Sequence, residues 1–326
     1  MSERGDRERV DSARGGLYGQ RWMDRLLDKR LWVVSGKGGV GKSTVSAALA
    51  LLFSSRGERT LLCEVNAKDR FGTLLESGPV GPQIVPLAEQ LWAVNLQPQS
   101  SLREYALMVL KFESIYKAVF ENRLVSYFLR FIPSLQELVM LGKILFHVEE
   151  RLPTGELKYQ RVVVDAPATG HAISFFNIPR VLINTVPPGR LAKEAKRMKD
   201  LLEDPAITTA ILVSLPEEMP VNETIELRAA LAESARIQTE LVVLNEYVKE
   251  RFSEQEIEAL SATRSLQRAA IEHREQALSS SRFRNRLLEA LGLPVAIVPR
   301  LFAYPIGRQS VESVARMLEP ALEAPG

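Results

Sequence analysis

The feature that most constrains this chain is a glycine-rich segment placed between two apolar runs. The segment reads Ser35-Gly36-Lys37-Gly38-Gly39-Val40-Gly41-Lys42-Ser43-Thr44. It fits the pattern G-x-x-x-x-G-K-[ST] of the phosphate-binding P-loop, and it joins a strand-like run at 31–34 to a helix-like run at 45–52, as that motif requires. Glycines let backbone N–H groups approach an anion closely, and the helix N-terminus adds partial positive charge. The sequence therefore predicts a phosphate-binding strand–turn–helix unit.

Two side chains of this segment are predicted to have specific roles. Lys42 would reach the β- and γ-phosphates of a nucleotide, and the Ser43 hydroxyl would ligate Mg²⁺. A glycine-rich turn without a ligand is the alternative, but packing gives no reason for a Lys-Ser pair to follow the last glycine. The predicted nucleotide-binding residues of the loop are therefore Gly36, Lys37, Gly38, Gly39, Val40, Gly41, Lys42, Ser43 and Thr44.

The composition is that of an ordinary globular protein. Of the 326 residues, 46% are hydrophobic and 25% are charged. The net charge of +2 is too close to balance to indicate a nucleic-acid partner. A single cysteine, Cys63, excludes an internal disulfide and a cysteine-based zinc site within one subunit. No apolar run reaches the roughly 18–20 residues of a membrane span, and the charged N-terminus lacks the apolar stretch of a secretory signal, so we expect a cytoplasmic protein.

Apolar strands alternate with helical stretches along most of the chain. This alternation predicts an α/β fold, a doubly wound and mostly parallel sheet covered by helices on both faces. Residues 66–89 are expected to be loop-like. The predicted strands are 31–34, 60–65, 90–96, 159–165, 208–214, 240–245 and 294–298, and the predicted helices include 190–203, 222–236, 253–291 and 308–322.

The predicted organisation is one domain with an insertion. Residues 1–29 form a charged arm, of which roughly the first 15 are expected to be disordered because arginines alternate there with acids and no apolar period appears. Residues 30–322 form the P-loop domain, and 323–326 are a tail. A helical tract at about 101–151, broken at Pro133, would form a helical insertion subdomain.

A carboxylate follows the apolar run at 162–164, where parallel strands present ligand-binding residues. That carboxylate, Asp165, is predicted to hold Mg²⁺ through the water shell of the ion. It begins the sequence Asp165-Ala166-Pro167-Ala168-Thr169-Gly170-His171. Together with Lys37, which lies directly after the first glycine of the loop, this sequence resembles the ArsA/Get family of ATPases, which has a deviant P-loop and a similar switch II. The resemblance extends over roughly residues 31–322.

The resemblance implies a dimer that closes around two nucleotides. It implies that Lys37 crosses to the nucleotide of the partner subunit, where a cation would neutralise charge on the transferred phosphoryl group. It also implies that Gly170 contacts the γ-phosphate, that Asn245 recognises adenine and that Pro299 lies in the loop packing on the adenine ring. A simple turn role for Asn245 is the alternative, since asparagine is common in turns.

The chain departs from the family at two positions. Asn66 stands where the family has the aspartate that positions the attacking water, and an amide cannot accept the proton of that water. The resemblance therefore implies Lys37, Lys42 and Asn66 as catalytic residues with slow turnover, unless Glu64 or Asp69 substitutes for the aspartate. The second departure is that Cys63 provides neither the dimer zinc site of the Get ATPases nor an arsenite site; we expect it to be a core residue.

The apolar insertion at about 101–151 has two interpretations. It could form a groove for an apolar client helix, as its place in the family implies, or a closed core of its own. The predicted function is an ATP- and Mg²⁺-dependent ATPase that acts as a nucleotide-gated dimer. Its partner would be a second copy or a related ATPase, with a hydrophobic protein client or membrane-protein partner. Two alternatives remain open: a catalytically weak subunit of a heterodimer, and a positioning ATPase of the ParA/MinD type.

Overall fold

A computed structural model describes residues 26–98, 135–260 and 263–323. The strands are β1 (Leu31–Gly36), β2 (Thr60–Val65), β3 (Val85–Ala88), β4 (Leu91–Leu96), β5 (Arg161–Asp165), β6 (Thr208–Ser214), β7 (Thr239–Tyr247) and β8 (Val295–Pro299). The helices are α1 (Lys42–Ser55), α2 (Phe71–Leu74), α3 (Leu135–Glu149), α4 (Thr169–Thr185), α5 (Arg190–Glu203), α6 (Glu218–Ala230), α7 (Glu254–Ala259), α8 (Arg264–Leu291) and α9 (Arg308–Glu323), with a π-helical turn, Leu231–Ala235, after α6.

The eight strands form one sheet in the order β3-β4-β2-β5-β1-β6-β7-β8. Every neighbouring pair is parallel except β3 and β4 at one edge, which are antiparallel. The predicted α/β fold with a mostly parallel sheet is confirmed, and all seven predicted strands are present. The prediction of a loop over 66–89 is wrong in part, because this stretch contains α2 and the edge strand β3. Both elements are only four residues long, too short for a hydrophobic period to become visible.

The sheet has a hydrophobic core on each face. Side chains alternate between the two faces of a strand, so Leu31 and Val33 of β1 pack on one side, while Trp32 and Val34 pack on the other. The first face is covered by α3, α4, α5, α6 and α8, and the second face is covered by α1 and α9. This double coverage explains why β1, β2 and β6 are buried along their whole length.

The parallel arrangement brings the carboxyl ends of three central strands together. In the register of the sheet, Val34 of β1 and Glu64 of β2 both lie beside Asp165 at the end of β5. The chain leaves β1 directly into the glycine-rich loop and then enters α1. The P-loop and the carboxylate Asp165 therefore meet at one edge of the sheet.

The helical segments follow the predictions with local differences. Helix α5 has the predicted bounds, whereas the predicted helix 222–236 begins earlier, at Glu218, and ends in the π-helical turn. The predicted stretch 253–291 consists of α7 and α8, with 261–262 outside the described residues. In the part of the chain that the structure describes, no helix combines the length and apolar character needed to cross a bilayer.

Most of the predicted insertion lies outside the described residues, as do most of the predicted arm and tail. Helix α3 is the described part of the insertion, and the apolar side chains Leu138, Met140, Leu141 and Leu145 of this helix are buried in the core of the first face. These residues belong to the core of the main sheet and not to a separate core of the insertion. Whether the apolar residues between 105 and 132 form a client groove stays a prediction from the sequence.

Candidate functional site

A cavity of about 470 Å³ lies at the carboxyl edge of the sheet, between two walls of different origin. The P-loop wall consists of Gly39, Gly41, Lys42, Ser43 and Thr44. The facing wall consists of Lys68, Asp69, Arg70, Thr73 and Leu74, which belong to the segment after β2 and to α2. The cavity therefore joins the glycine-rich turn to a segment that sequence reasoning treated as a loop.

The innermost polar group of the site is the carboxylate of Asp165. The Ser43 hydroxyl donates to Asp165 Oδ2 at 2.6 Å, and the Ser46 hydroxyl lies 3.4 Å from Oδ1. Burial raises the pKa of Asp165, while the Ser43 hydrogen bond and the charge of Lys42 oppose that rise. The two predicted metal ligands, Ser43 and Asp165, are thus adjacent, and both are buried.

Lys42 extends along its own loop. Its ammonium group donates to the carbonyl oxygen of Lys37 at 3.0 Å, which curls the side chain over the turn. Burial lowers the pKa of Lys42; Asp165 counteracts this effect, and the positive charge of Arg70 adds to it. The ammonium group and the Arg70 guanidinium repel each other across the cavity, so an anion bound between them would relieve this repulsion.

Two glycines of the loop are required by close contacts. Gly36 has φ 155°, and a Cβ atom at this position would overlap the carbonyl oxygen of Val213 on the neighbouring strand β6. Gly41 has φ 94°, and a Cβ atom there would overlap the side-chain amide of Asn245. That amide donates to the carbonyl oxygen of Val40 at 3.0 Å. Asn245, the predicted adenine residue, is therefore packed directly against the P-loop.

Glu64 is a fully buried carboxylate next to the site. Its Oε2 accepts a hydrogen bond of 2.9 Å from the side-chain amide of Asn95, which also donates to the carbonyl oxygen of Ala67. Burial raises the pKa of Glu64 to about 7, and the negative charges of Asp165 and Asp69 add to this rise. Glu64 Oε1 is buried without a hydrogen-bond partner among the described residues.

The facing wall is held by the carboxylate of Asp69. One oxygen accepts from the backbone N–H of Gly72 at 3.0 Å, and the other accepts from the backbone N–H of Val80 at 2.9 Å. Phe71, the first residue of α2, is fully buried. Arg70, which lies between these two anchors, directs Nη1 to the Ser43 hydroxyl at 3.2 Å. The facing wall is thereby fixed to the fold on both sides of Arg70.

Lys37 points away from the cavity in this structure. Its ammonium group forms an ion pair of 2.8 Å with Glu223 and lies 2.6 Å from the sulfur atom of Met219, both on α6. The predicted trans-acting lysine is therefore engaged within its own chain. Met219 is 64% exposed, which leaves this contact at the surface.

The remaining predicted residues lie at different places around the same edge. Gly170 is exposed at the start of α4, and Pro299 is the last residue of β8, in register with Tyr247 of β7. Asn66 is exposed and lines a separate cavity with Ala67, Gln97, Pro98 and Gln136. The P-loop, Asp165 and Asn245 are therefore brought together, whereas Asn66 is not on the wall of the cavity beside the P-loop.

The backbone gives a local reason for the asparagine at position 66. Asn66 has φ 46°, in the left-handed region that asparagine and aspartate tolerate better than most residues. Its backbone N–H donates to the carbonyl oxygen of Leu96 at 2.8 Å, which continues the pairing of β2 with β4. The side chain is therefore turned out of the strand direction as the chain enters the facing wall.

Sequence reasoning missed two residues of the site. Arg70 lies within the stretch predicted as loop, and its signal was a basic residue shortly after a strand that ends at the ligand-binding edge. Asn95 interrupts the otherwise apolar strand β4, and a polar residue inside such a run is a signal for a buried hydrogen bond. Both residues contact groups that are distant in sequence, so their partners were not visible in the pattern.

Two further features of the described residues bear on where a nucleotide and a metal ion could bind. A larger cavity of about 630 Å³ lies between α1 and α9, and none of the predicted site residues lines it. No group of three or more His, Cys, Asp and Glu side chains within 26–98, 135–260 and 263–323 could hold a metal ion. A Mg²⁺ ion would therefore need oxygen ligands from a bound phosphate and from water, as is usual for this ion.

Comparison with known proteins gives a consistent result. The family model described as anion-transporting ATPase matches residues 29–188 and 187–284. ATPase BagA of Mycobacterium tuberculosis is 32% identical over 219 residues, which cover 65% of this chain and 64% of that protein. ATPase ASNA1 homolog 1 of Paramecium tetraurelia is 29% identical over 156 residues, 46% of this chain and 44% of that protein. ATPase get3 of Schizosaccharomyces japonicus is 28% identical over 167 residues, 49% of this chain and 48% of that protein.

These alignments are partial. The chain spans less than two thirds of the mycobacterial protein and about half of each of the two eukaryotic ones. The two matches of the family model together cover most of the chain, including the P-loop and Asp165.

Proposed function

The chain belongs to the anion-transporting ATPase family, and from this membership and the site geometry we propose that it binds ATP with Mg²⁺, hydrolyses it slowly and works as a nucleotide-gated dimer. The observation that carries the proposal is the 2.6 Å hydrogen bond between Ser43 and Asp165, beside Lys42 in a cavity formed by the P-loop. Hydroxyl and carboxylate oxygens are the ligands that Mg²⁺ prefers, and Lys42 supplies a charge for the phosphates.

The donor set fits a divalent cation. Asp165 is only 7% exposed, and burial raises its pKa, so its carboxylate has lost much of its hydration. A cation next to Asp165 would favour the charged form of the carboxylate and offset this cost. When bound, Mg²⁺ would neutralise charge on the phosphates. In this proposal the P-loop backbone and Lys42 bind phosphate, Gly170 contacts the γ-phosphate, and Asn245 and Pro299 lie against adenine.

Slow hydrolysis is the second part of the proposal. Asn66 has an amide where the family aspartate stands, and an amide cannot accept the proton of the attacking water. Both oxygens of Asp69 already accept backbone hydrogen bonds, so this residue is poorly suited to replace the missing base. Glu64 is buried and bonded to Asn95, and it is the remaining carboxylate that lies beside Asp165 in the sheet. Loss of a general base typically lowers the rate of a reaction by ~10²–10⁴-fold.

The dimer is the third part of the proposal. To reach the nucleotide of a partner subunit, Lys37 would have to exchange Glu223 for phosphate. An ion pair at this level of exposure contributes little, about 0–1 kcal/mol, so a phosphate with more negative charge can displace the glutamate. Binding of ATP would thus favour the dimer, and its hydrolysis would release the subunits. The partner is a second copy of this chain or a related ATPase.

The test is ATP binding and single-turnover hydrolysis by the purified chain with Mg²⁺. We expect wild-type protein to bind ATP, and Lys42→Ala to lower the affinity by about 100-fold, because one charge-assisted contact to phosphate contributes about 1.5–3 kcal/mol and the loop loses its curled lysine. Asn66→Asp should raise the single-turnover rate by 10-fold or more, since aspartate tolerates the same backbone angles and can accept a proton. Sedimentation with and without ATP would report the dimer.

Each outcome has a distinct meaning. If wild-type protein does not bind ATP, the proposed function is wrong. If it binds ATP and turns over quickly, and Asn66→Asp changes nothing, the proposal of slow hydrolysis is wrong, and Glu64→Gln then tests whether Glu64 acts as the base. Binding without hydrolysis, or dimers that form only after a related ATPase is added, would favour the catalytically weak subunit of a heterodimer.

A further inference from the structure

Arg70 is a basic residue of the facing wall that has no carboxylate within ion-pair distance among the described residues. Its guanidinium donates to the Ser43 hydroxyl, a neutral group, and its charge acts only from a longer distance on the carboxylates of Asp165 and Glu64. Arg70 is exposed, yet Nη1 lies only 3.2 Å from Ser43 Oγ, on the inner side of the cavity. A structural arginine would be expected to pair with a carboxylate or to cover apolar surface. The arrangement of Arg70 is instead typical of a guanidinium that is positioned to bind an anion.

The backbone around Arg70 is built to keep it at this position. Asp69, the residue before Arg70, is held in place because its carboxylate accepts from the N–H groups of Gly72 and Val80. Phe71, the residue after Arg70, is held in place by its buried ring. Gly72 has to be glycine, since a Cβ atom there would lie 2.7 Å from Asp69 Oδ2. The carbonyl oxygen of Arg70 accepts from the N–H of Leu74 and so begins the turn of α2. Arg70 therefore projects from a rigid turn, which is how proteins preorganise a binding group.

The position along the site identifies which phosphate Arg70 can reach. In P-loop proteins the backbone of the loop surrounds the α- and β-phosphates, and the metal held by the loop serine bridges the β- and γ-phosphates. Because Arg70 contacts that serine hydroxyl, it lies at the γ-phosphate end of the cavity and not at the end where Asn245 stands. If the Ser43 oxygen coordinates a metal ion, Arg70 loses this hydrogen-bond acceptor. A phosphate oxygen next to the metal ion would then be a new acceptor for the guanidinium.

We propose that Arg70 binds the terminal phosphate of the nucleoside triphosphate held in its own subunit, and that it makes the site prefer a triphosphate to a diphosphate. The proposal rests on the proposed ATP site. A guanidinium offers a planar fork of donors that matches two phosphate oxygens, which an ammonium group cannot do. Arg70 would supply from the same subunit a charge of the kind that Lys37 is expected to supply from the partner.

The test is calorimetric titration of the full chain with ADP and with adenylyl imidodiphosphate, a triphosphate analogue that is not hydrolysed. We expect Arg70→Ala to weaken triphosphate binding by about 10- to 100-fold and to change ADP binding by less than about 3-fold, in line with one charge-assisted contact to the γ-phosphate. Arg70→Lys should lie between wild type and Arg70→Ala, since it keeps the charge and loses the fork. The readout is the ratio of the two affinities, so it does not depend on turnover.

A matched control is available on the same wall. Lys68 is exposed and lines the same cavity, so Lys68→Ala removes the same charge without the contact to Ser43. We expect this variant to leave the ratio of triphosphate to diphosphate affinity unchanged. Thermal unfolding of each variant establishes that the facing wall is intact.

The failure of this inference differs from the failure of the proposed function. If wild-type protein binds neither nucleotide, the ATP site itself is wrong. If wild-type protein binds both nucleotides and Arg70→Ala binds each of them as tightly as wild type does, Arg70 has no role in binding and the inference is wrong. If Arg70→Ala weakens both nucleotides by the same factor, or if Lys68→Ala reproduces its effect, then Arg70 acts through general charge or through the wall, and the inference is overturned.

Discussion

The two walls of the cavity face each other, but they are held in position by different kinds of contact. The P-loop wall is continuous in sequence, and its geometry follows from glycines and from the start of α1. The facing wall is held by Asp69, which reaches 11 residues forward to the N–H of Val80, and by the buried ring of Phe71. Neighbouring Asn95, on another strand, ties Glu64 to the carbonyl oxygen of Ala67 at the start of this wall.

This difference separates what is constant in the site from what is specific to this chain. The P-loop wall tolerates little change at Gly41, because this glycine lies against the Asn245 side chain of another strand. The facing wall carries Arg70, the residue that sequence reasoning missed, while Asn66 lies shortly before this wall in the chain and lines a separate cavity. The chemistry of a P-loop site can thus change on the wall that is held by tertiary contacts while the other wall stays the same.

The largest expected effect is a loss of stability caused by substituting one glycine of the P-loop wall. Gly41→Ala places a Cβ atom against the Asn245 amide and imposes φ 94° on an alanine. We expect the free energy of unfolding of the nucleotide-free protein to fall by about 2–4 kcal/mol, from backbone strain and steric overlap together. Urea unfolding measures it.

The matched control for this variant is Gly38→Ala in the same loop. Gly38 has no left-handed φ, and a Cβ atom there would meet nothing within 4 Å. Its free energy of unfolding should change by less than about 0.5 kcal/mol. Equal losses in the two variants would show that the contact with Asn245 is not what constrains the loop.

The next largest effect is expected from a substitution that destabilises the facing wall without changing the P-loop wall. Asp69→Ala removes both acceptors of the Gly72 and Val80 N–H groups. We expect amide exchange of residues 70–80 to become faster by at least about 10- to 100-fold, since each hydrogen bond to a charged group contributes about 1.5–3 kcal/mol. Amide exchange of the P-loop should not change. If P-loop amides accelerate equally, the two walls form one cooperative unit.

The last effect depends on pH and concerns Glu64, at the base of the facing wall. Burial raises the pKa of Glu64 from its ordinary 4.5 to about 7, so the folded protein holds this proton more tightly than the unfolded chain does. The stability of wild-type protein therefore declines as pH rises from about 4.5 to about 7, and the loss is complete above that range. Glutamine stays neutral, so Glu64→Gln should be more stable than wild type by up to about 3 kcal/mol at pH 8 and about equal to it at pH 4.5.

This comparison is made by urea unfolding without nucleotide and with a chelator present, so that no cation pairs with Asp165. The control is Glu289→Gln, an exposed glutamate on α8 that removes one carboxylate at the surface. A difference between Glu64→Gln and wild type that is the same at pH 4.5 and pH 8 would mean that Glu64 keeps its ordinary pKa in the folded protein.

Much of the fold could be predicted from the sequence, because its signals are local. The apolar strands and the helices of the sheet are long enough to show their periods, and α5 has the predicted bounds to the residue. The pairing of Ser43 with Asp165 followed from the rule that parallel strands present their carboxyl ends at one edge. The short elements α2 and β3 were not predicted, since four residues are too few to show a hydrophobic period.

The sequence by itself determined the P-loop, the α/β class and the placement of Asp165, because each depends on neighbours in the chain or on a rule of parallel sheets. Only the tertiary structure decided which side chains meet across the cavity. Arg70 is directed at Ser43 because Asp69 binds Gly72 and Val80, and Lys37 is turned towards Glu223 because α6 passes beside the loop. These contacts join residues that are distant in sequence, and their geometry depends on packing that no local pattern contains.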